Sequence, residues 1–319
     1  MNLNKLKKSL ADFHQIFGLI FPPNYGINIK NQELEDSKEE NYIFGSIDDE
    51  EVIVPDGDWT PYLPAEEKQH GLFDSMNCTR FGLLNCIEAI MKAKFDIDVN
   101  YSDRYISQGV GRNGSTMQSA LDNVRKLYGN VLESEWPVNW NTFNRSVYFR
   151  MPDSETIKKG KKWIDTYKLT FKYVNKTPAM MREALKTSPL YVSGYAWYKK
   201  NGEYISLRRP NHCFMVYKYG HAFDSYSPFI KKLSSNYNFG TVISIHIQKI
   251  NEKEDIIENL KARGLKFILR AEKDGEIYEI KDNEIEYVSP NDWNKLNVKK
   301  QAKENTLVGI TEDLYNKIK

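Results

Sequence analysis

The hydrophobic rhythm of the chain changes near Pro189. Upstream of it, apolar residues recur at three- and four-residue steps. Phe81, Leu84, Ile87 and Met91 mark a helix that begins near Cys78. Further helices are expected after the Ser102-Asp103 cap pair, from Ser115-Thr116-Met117-Gln118 to Gly129, after Ser154, and from Thr177-Pro178 to just before Ser188-Pro189. Downstream, the period falls to two. Residues 190–197, 212–219, 222–226 and 241–249 read as strands. Helices followed by strands predict an α+β domain of two packed lobes.

The two ends follow neither rhythm. Residues 1–57 are irregular, acid-rich between Asn31 and Glu51, and punctuated by Pro22, Pro23, Pro55 and Gly57. They read as an extended N-terminal arm on a main domain of residues 58–250. Residues 251–319 read as a small C-terminal α/β module. An amphipathic helix, Glu254–Arg263, is stopped by Gly264; strands follow at 265–271, 276–281 and 284–288, joined by Asp274-Gly275 and Asp282-Asn283 turns. A last short helix is expected from Thr311.

Composition narrows the field by exclusion. A net charge of +2 over 319 residues gives no general attraction to nucleic acid or to an anionic membrane. No stretch approaches the ~20 apolar residues that span a bilayer. The start, Met1 to Phe21, is interrupted by Asp12, His14 and Gln15 and does not read as a secretory signal. The three cysteines, 78, 86 and 213, are too few and odd in number for a disulfide framework, so a reducing, cytoplasmic setting is expected. Neither Cys-x-x-Cys nor His-Glu-x-x-His occurs, and no metal or cofactor is expected. Gly109–Gly114 lacks the preceding strand and the Lys-Ser/Thr ending of a phosphate loop and reads as a turn between helices.

Candidate chemistry centres on Cys78. It lies where a polar loop, Asp74-Ser75-Met76-Asn77, runs into a helix, and N–H groups at a helix start favour a thiolate. A thiol needs a base, and His212 opens an apolar strand. Alternation puts His212, Phe214 and Val216 on one face and Cys213 on the other, where Cys213 should point away from the site into the core. A tight turn at Tyr219-Gly220-His221 would fold Asp224 back beside His212 to hold its tautomer. His221 falls at the turn, His246 in a strand without an evident acidic partner, and His14 and His70 have weaker claims.

This order of residues resembles the papain-like cysteine peptidases. His212 follows Cys78 by 134 positions, within that family's spacing of roughly 130–150. Asp58-Trp59 and Gln69-His70-Gly71 resemble the family's mature start and its oxyanion-hole glutamine. Tyr128-Gly129 and Glu135-Trp136-Pro137 resemble left-lobe segments, and Phe223-Asp224-Ser225-Tyr226 resembles the Asn-Ser-Trp stretch. The resemblance covers about residues 58–250 and points to the divergent, phage- or microbe-encoded branch. Three features depart from the family pattern: Gln69 lies nine rather than six residues before the cysteine, Asp224 stands where asparagine is usual, and the Cys-Gly-Ser-Cys-Trp signature is absent.

The resemblance implies a helical left lobe and an antiparallel, barrel-like right lobe. It implies a peptidase that cleaves a peptide or isopeptide bond of a peptide or protein substrate, with Cys78, His212, Asp224 and Gln69 as the catalytic set. Two other readings stay open at this point. One is a papain-fold structural or binding protein, with virion or cell-wall association through the C-terminal module and its aromatics Tyr278 and Trp293, which read as exposed. The other is a cell-wall amidase or endopeptidase.

Overall fold

The computed structural model describes Gln32 and residues 51–105, 107, 114–207, 210–250, 257, 261, 266–270, 276–281, 284–289 and 307–310. The chain forms two compact units, Met1–Gln248 and Lys249–Lys319. Among the described residues, no helix is long and apolar enough to cross a membrane.

The first unit is organised around helix α1, Cys78–Phe95. Every residue from Cys78 to Met91 is buried, so this helix has no solvent face over its first four turns. Two of its polar members find partners inside the fold. Arg80 Nη2 donates to Asn130 Oδ1 at 2.9 Å, and Glu88 Oε1 accepts the Tyr101 N–H at 2.7 Å. Around it lie α2 (Met117–Asp122, continued by a π-turn over Asn123–Leu127), α3 (Arg145–Tyr148) and α4 (Ser154–Thr166). The starts follow the expected capping chemistry: Thr116, Asp153 and, for α5 (Pro178–Ala184), Thr177 each accept a first-turn N–H.

The other side is a six-stranded sheet in the order β1-β8-β2-β5-β6-β7. Its strands are β1 (Tyr167–Tyr173), β2 (Leu190–Gly194), β5 (His212–Lys218), β6 (His221–Phe223), β7 (Ile230–Lys232) and β8 (Phe239–Lys249). A separate hairpin joins β3 (Tyr198–Lys200) to β4 (Glu203–Ile205). Antiparallel pairing of β2 with β5 sets Ser193 opposite Cys213 and Gly194 opposite His212. The turn between β5 and β6 uses Gly220 at φ +79°, a conformation that disfavours a side chain.

Helix and sheet meet at Gly82. A Cβ there would lie 3.1 Å from both the Cα and the N of Phe214 and 3.3 Å from the carbonyl carbon of Cys213. The absence of a side chain lets α1 lie directly on the β5 backbone. Trp59, itself buried, fastens the same region: its N–H donates to Tyr217 O at 2.9 Å and its Nε1 to Leu185 O at 2.7 Å. Gln32, the one described residue before Glu51, accepts the Met117 N–H at 3.0 Å and reaches Thr241 Oγ1 at 3.4 Å, so it touches both the α2 start and the sheet.

Several sequence expectations change. After Ser102-Asp103 the chain turns at residues 103–105, with Asp103 drawn into the interior beside α1, and Ser107 lies in a 3-10 turn; the rest of the helix expected there lies outside the described residues. Strand β1 interrupts the region read as all-helical; it follows α4 without a break and sits at the sheet edge, where a mixed burial pattern hides the alternation. Strands β3, β4 and β7, three residues each, are too short to leave a periodic signature. The Gly109–Gly114 expectation lies outside the described residues except for Gly114, at φ +81°.

The second unit contains a four-stranded sheet, β11-β10-β9-β12. Strands β9 (Phe267–Arg270), β10 (Glu276–Lys281) and β11 (Glu284–Val288) form an antiparallel meander, and β12 (Leu307–Ile310), not anticipated, pairs parallel to β9. Tyr278, read from sequence as exposed, is buried and packs on Tyr287 at 5.7 Å between ring centroids. Trp293, the helix from Thr311 and most of 254–263 lie outside the described residues.

Candidate active site

Cys78 is the first residue of α1. Its N-cap, Asn77, does not cap through its side chain; that amide donates instead to Asp103 O at 2.8 Å and to the Tyr148 hydroxyl at 3.3 Å. The first turn thus keeps the partial positive charge of its N–H groups where the sulfur sits.

His212 begins β5, and α1 resting on that strand brings its ring to Cys78. His212 Nε2 lies 2.5 Å from Asp224 Oδ1. That commitment leaves Nδ1 to serve the thiol, and the ring and the sulfur interact electrostatically. Asp224 follows β6 and also accepts the Ser225 N–H through Oδ1 at 2.8 Å. Cys78, His212 and Asp224 are all buried.

The electrostatics separate the two reacting groups. Burial pushes the Cys78 thiol up, but hydrogen bonds from Cys213 and His212 and the His212 charge outweigh it and bring the thiol down to about 6. Burial pushes His212 down, but the charge and hydrogen bond of Asp224, helped by Cys78, lift it to about 9. Between those values the pair is a thiolate and an imidazolium. Asp224 is held below the usual carboxylate range: burial opposes this, and His212 and Lys231 outweigh burial.

Cys213 requires a correction. It is in the core, as alternation implies, but it does not point away from the site: it lies close enough to the Cys78 sulfur to help hold that thiol down. The reason is Gly82. With α1 lying on the strand backbone, residues of both parities meet the helix.

Gln69 is buried beside Ser225. Its Oε1 accepts from Ser225 Oγ at 2.7 Å; its Nε2 donates to the Tyr226 hydroxyl at 2.7 Å and to Asp74 Oδ1 at 3.1 Å. Asp74 also accepts from Tyr226 Oη and from Met76 N–H at 2.8 Å. These bonds tie the loop before Cys78 to the loop after Asp224.

Four further side chains adjoin the cluster and were not singled out in the sequence. Trp197 stands edge-on to His212, with centroids 5.5 Å apart at 84°. Asn211 holds the Trp197 loop, exchanging amide bonds with Ala196 N and O at 2.9 and 3.1 Å. Tyr226 meets the other side of His212 at 5.6 Å and stacks on His70 at 5.0 Å. Lys231 is ion-paired to Asp224. Of the remaining histidines, His246 meets Ser244 Oγ at 3.1 Å and His221 sits half-buried at the turn. Among the described residues, no three His, Cys, Asp or Glu side chains are grouped as metal ligands.

Among solved structures, the chain is similar to papain-like cysteine proteases. Particular examples are the ragweed pollen protease Amb a 11 in its proform (16 % identity, TM-score 0.44, covering 69 % of this chain and 73 % of that one) and digestive procathepsin L 3 of Tenebrio molitor (14 %, 0.41, 73 % and 78 %). A third is the cysteine protease and lectin-like domains of Cwp84, a surface-layer-associated protein of Clostridium difficile (15 %, 0.44, 68 % and 54 %); the chain spans just over half the length of that structure. No protein-family model and no curated protein matches the chain.

Proposed function

We propose that this protein is a cysteine peptidase that hydrolyses a peptide or isopeptide bond through an acyl-enzyme on Cys78. The observation that carries this reading is the buried grouping of Cys78, His212 and Asp224, with His212 Nε2 2.5 Å from the carboxylate and the charge of the ring acting on the thiol. In the first step the Cys78 thiolate attacks the carbonyl carbon and His212 gives its proton to the leaving amine. In the second, His212 takes a proton from water, which attacks the thioester and releases Cys78. Asp224 keeps the ring oriented in both steps. The tetrahedral oxyanion would receive the Cys78 N–H at the helix start. It would also receive Gln69 Nε2 once the longer of that amide's two bonds, the one to Asp74, is exchanged for it.

Cys78 has no surface exposure in this conformation, so turnover requires the site to open. The expected outcome with iodoacetamide is labelling of Cys78 whose rate saturates with reagent concentration, because opening becomes limiting. Cys78→Ala should abolish that labelling and all cleavage of a peptide library while leaving the melting curve in place. Equal labelling of the Ala variant would overturn the assignment.

The same burial favours one second reading, a papain-like scaffold kept for structure or binding. That reading expects no labelling of Cys78 at any pH short of unfolding. A cleft that digests purified peptidoglycan but no peptide library would instead identify a cell-wall enzyme.

A further inference from the structure

We propose that Lys231 is a positioning residue that completes the catalytic cluster: its buried ammonium balances Asp224 and anchors its loop, which lets the Cys78 thiolate form beside a carboxylate. The inference rests on Cys78 and His212 being the reactive pair.

The geometry is specific. Lys231 Nζ lies 2.7 Å from Asp224 Oδ2, and the two side chains are 2 % and 0 % exposed. Its other donors go to two carbonyls of the loop that follows Asp224, Tyr226 O at 2.6 Å and Pro228 O at 2.5 Å. The ammonium also lies 5.2 Å from the Trp197 ring and 5.6 Å from the Tyr204 ring, which shield it from water. Asp224 Oδ1 is already taken by His212 and Ser225. Among the described residues, Lys231 is the one cation that approaches Oδ2.

Charge counting gives the consequence. A buried cluster tolerates ionisation when its charges cancel. Cys78 thiolate, His212 imidazolium, Asp224 carboxylate and Lys231 ammonium sum to zero. Without Lys231, imidazolium and carboxylate already cancel, and ionising Cys78 would leave one uncompensated buried negative charge. An asparagine at position 224 would need no lysine. Aspartate at 224 and lysine at 231 thus form a charge-matched pair.

No other described group can replace the ammonium. The titratable side chains facing the cluster are Cys213 from β5, Tyr191 from β2, Tyr226 and Asp74 from the two loops, and Tyr204 and Tyr237 from the sheet side. None is basic, and burial keeps all four tyrosines in the phenol form at neutral pH.

The test follows iodoacetamide alkylation of Cys78 against pH in the full-length chain. This reads the sulfur whether or not any peptide is cut, so failure of the charge assignment is distinct from failure of the peptidase reading. Lys231→Met should move the acid limb of the alkylation profile upward by about one pH unit or more. Asp224→Asn with Lys231→Met should return it to within about half a unit of the wild type, because the carboxylate that needed balancing is gone. Lys231→Gln, which keeps polar bonds to the two carbonyls, should behave like the Met variant. An unmoved limb in the single variants, or a double variant no closer to wild type than Lys231→Met, overturns the proposal. If Lys231→Met does not fold, the melting curves decide: the double variant should recover a cooperative transition, and its failure to do so is equally contrary.

Discussion

At the scale of single residues, two adjacent groups carry opposite shifts. Cys78 is brought down to about 6 and His212 lifted to about 9. The sign of each limb follows. Below about 6 the sulfur is protonated and does not attack; above about 9 the ring has lost the proton that the leaving amine needs. Hydrolysis should therefore rise through about 6 and fall through about 9. Alkylation needs only the thiolate and should show the lower limb without the upper loss. Stopped-flow alkylation and steady-state cleavage over the same buffers check this; an alkylation midpoint near the ordinary thiol value would contradict it. Lys231 belongs to this scale too, and nothing local announces it. A lysine in Ile230-Lys231-Lys232 reads as surface, and only the short β7 strand turns its middle residue inward.

At the scale of elements, the site depends on how closely α1 lies on β5. Gly82→Ala would place a methyl 3.1 Å from the Phe214 backbone, which cannot give as a side-chain end can. The expected cost is about 1–3 kcal/mol in stability, with a larger proportional loss of Cys78 labelling because the helix carrying the sulfur moves away from the ring. Urea denaturation beside alkylation rates would separate the two effects. Elements were legible in the sequence where their signals are local. The α1 periodicity, the Thr177-Pro178 cap and the Gly220 turn each lie within a few residues of what they determine. The contact between Cys213 and Cys78 was not legible, since strand alternation assigns faces relative to the sheet and says nothing of a helix lying on the backbone. Edge strand β1 was hidden for a related reason: with one side half-exposed, its residues need not alternate. Gln69 could be located through the resemblance alone; its bond to Tyr226, and that of Tyr226 to Asp74, join segments over 150 positions apart.

At the scale of the Met1–Gln248 unit, the interior holds more carboxylates than a passive core would. Glu88, Asp103 and Glu133 all lie above the ordinary carboxylate range, each first because of burial and then through neighbouring acids that include Glu67. Glu133 is pushed up to about 7. Its folded value exceeds its unfolded one, so its contribution is intact below the unfolded value and is lost as pH rises through about 7. Glu133→Gln should leave the melting temperature unchanged at pH 4 and raise it at pH 8. The gain is on the order of 2 kcal/mol, reduced for its partial exposure. Its Oε1 can still accept the Val138 N–H, now at 2.7 Å. Differential scanning calorimetry at the two pH values checks this; an equal shift at both would assign the effect to packing instead.

The four charged members of the cluster lie at 78, 212, 224 and 231, and α1 meets β5 across 134 positions of chain. On the ribosome, the cysteine emerges long before the residues that ionise it. A nascent polypeptide, or one cut short before the seventh strand, carries a thiol of ordinary acidity. On the proposed peptidase reading, the order of translation withholds the thiolate from unfinished product.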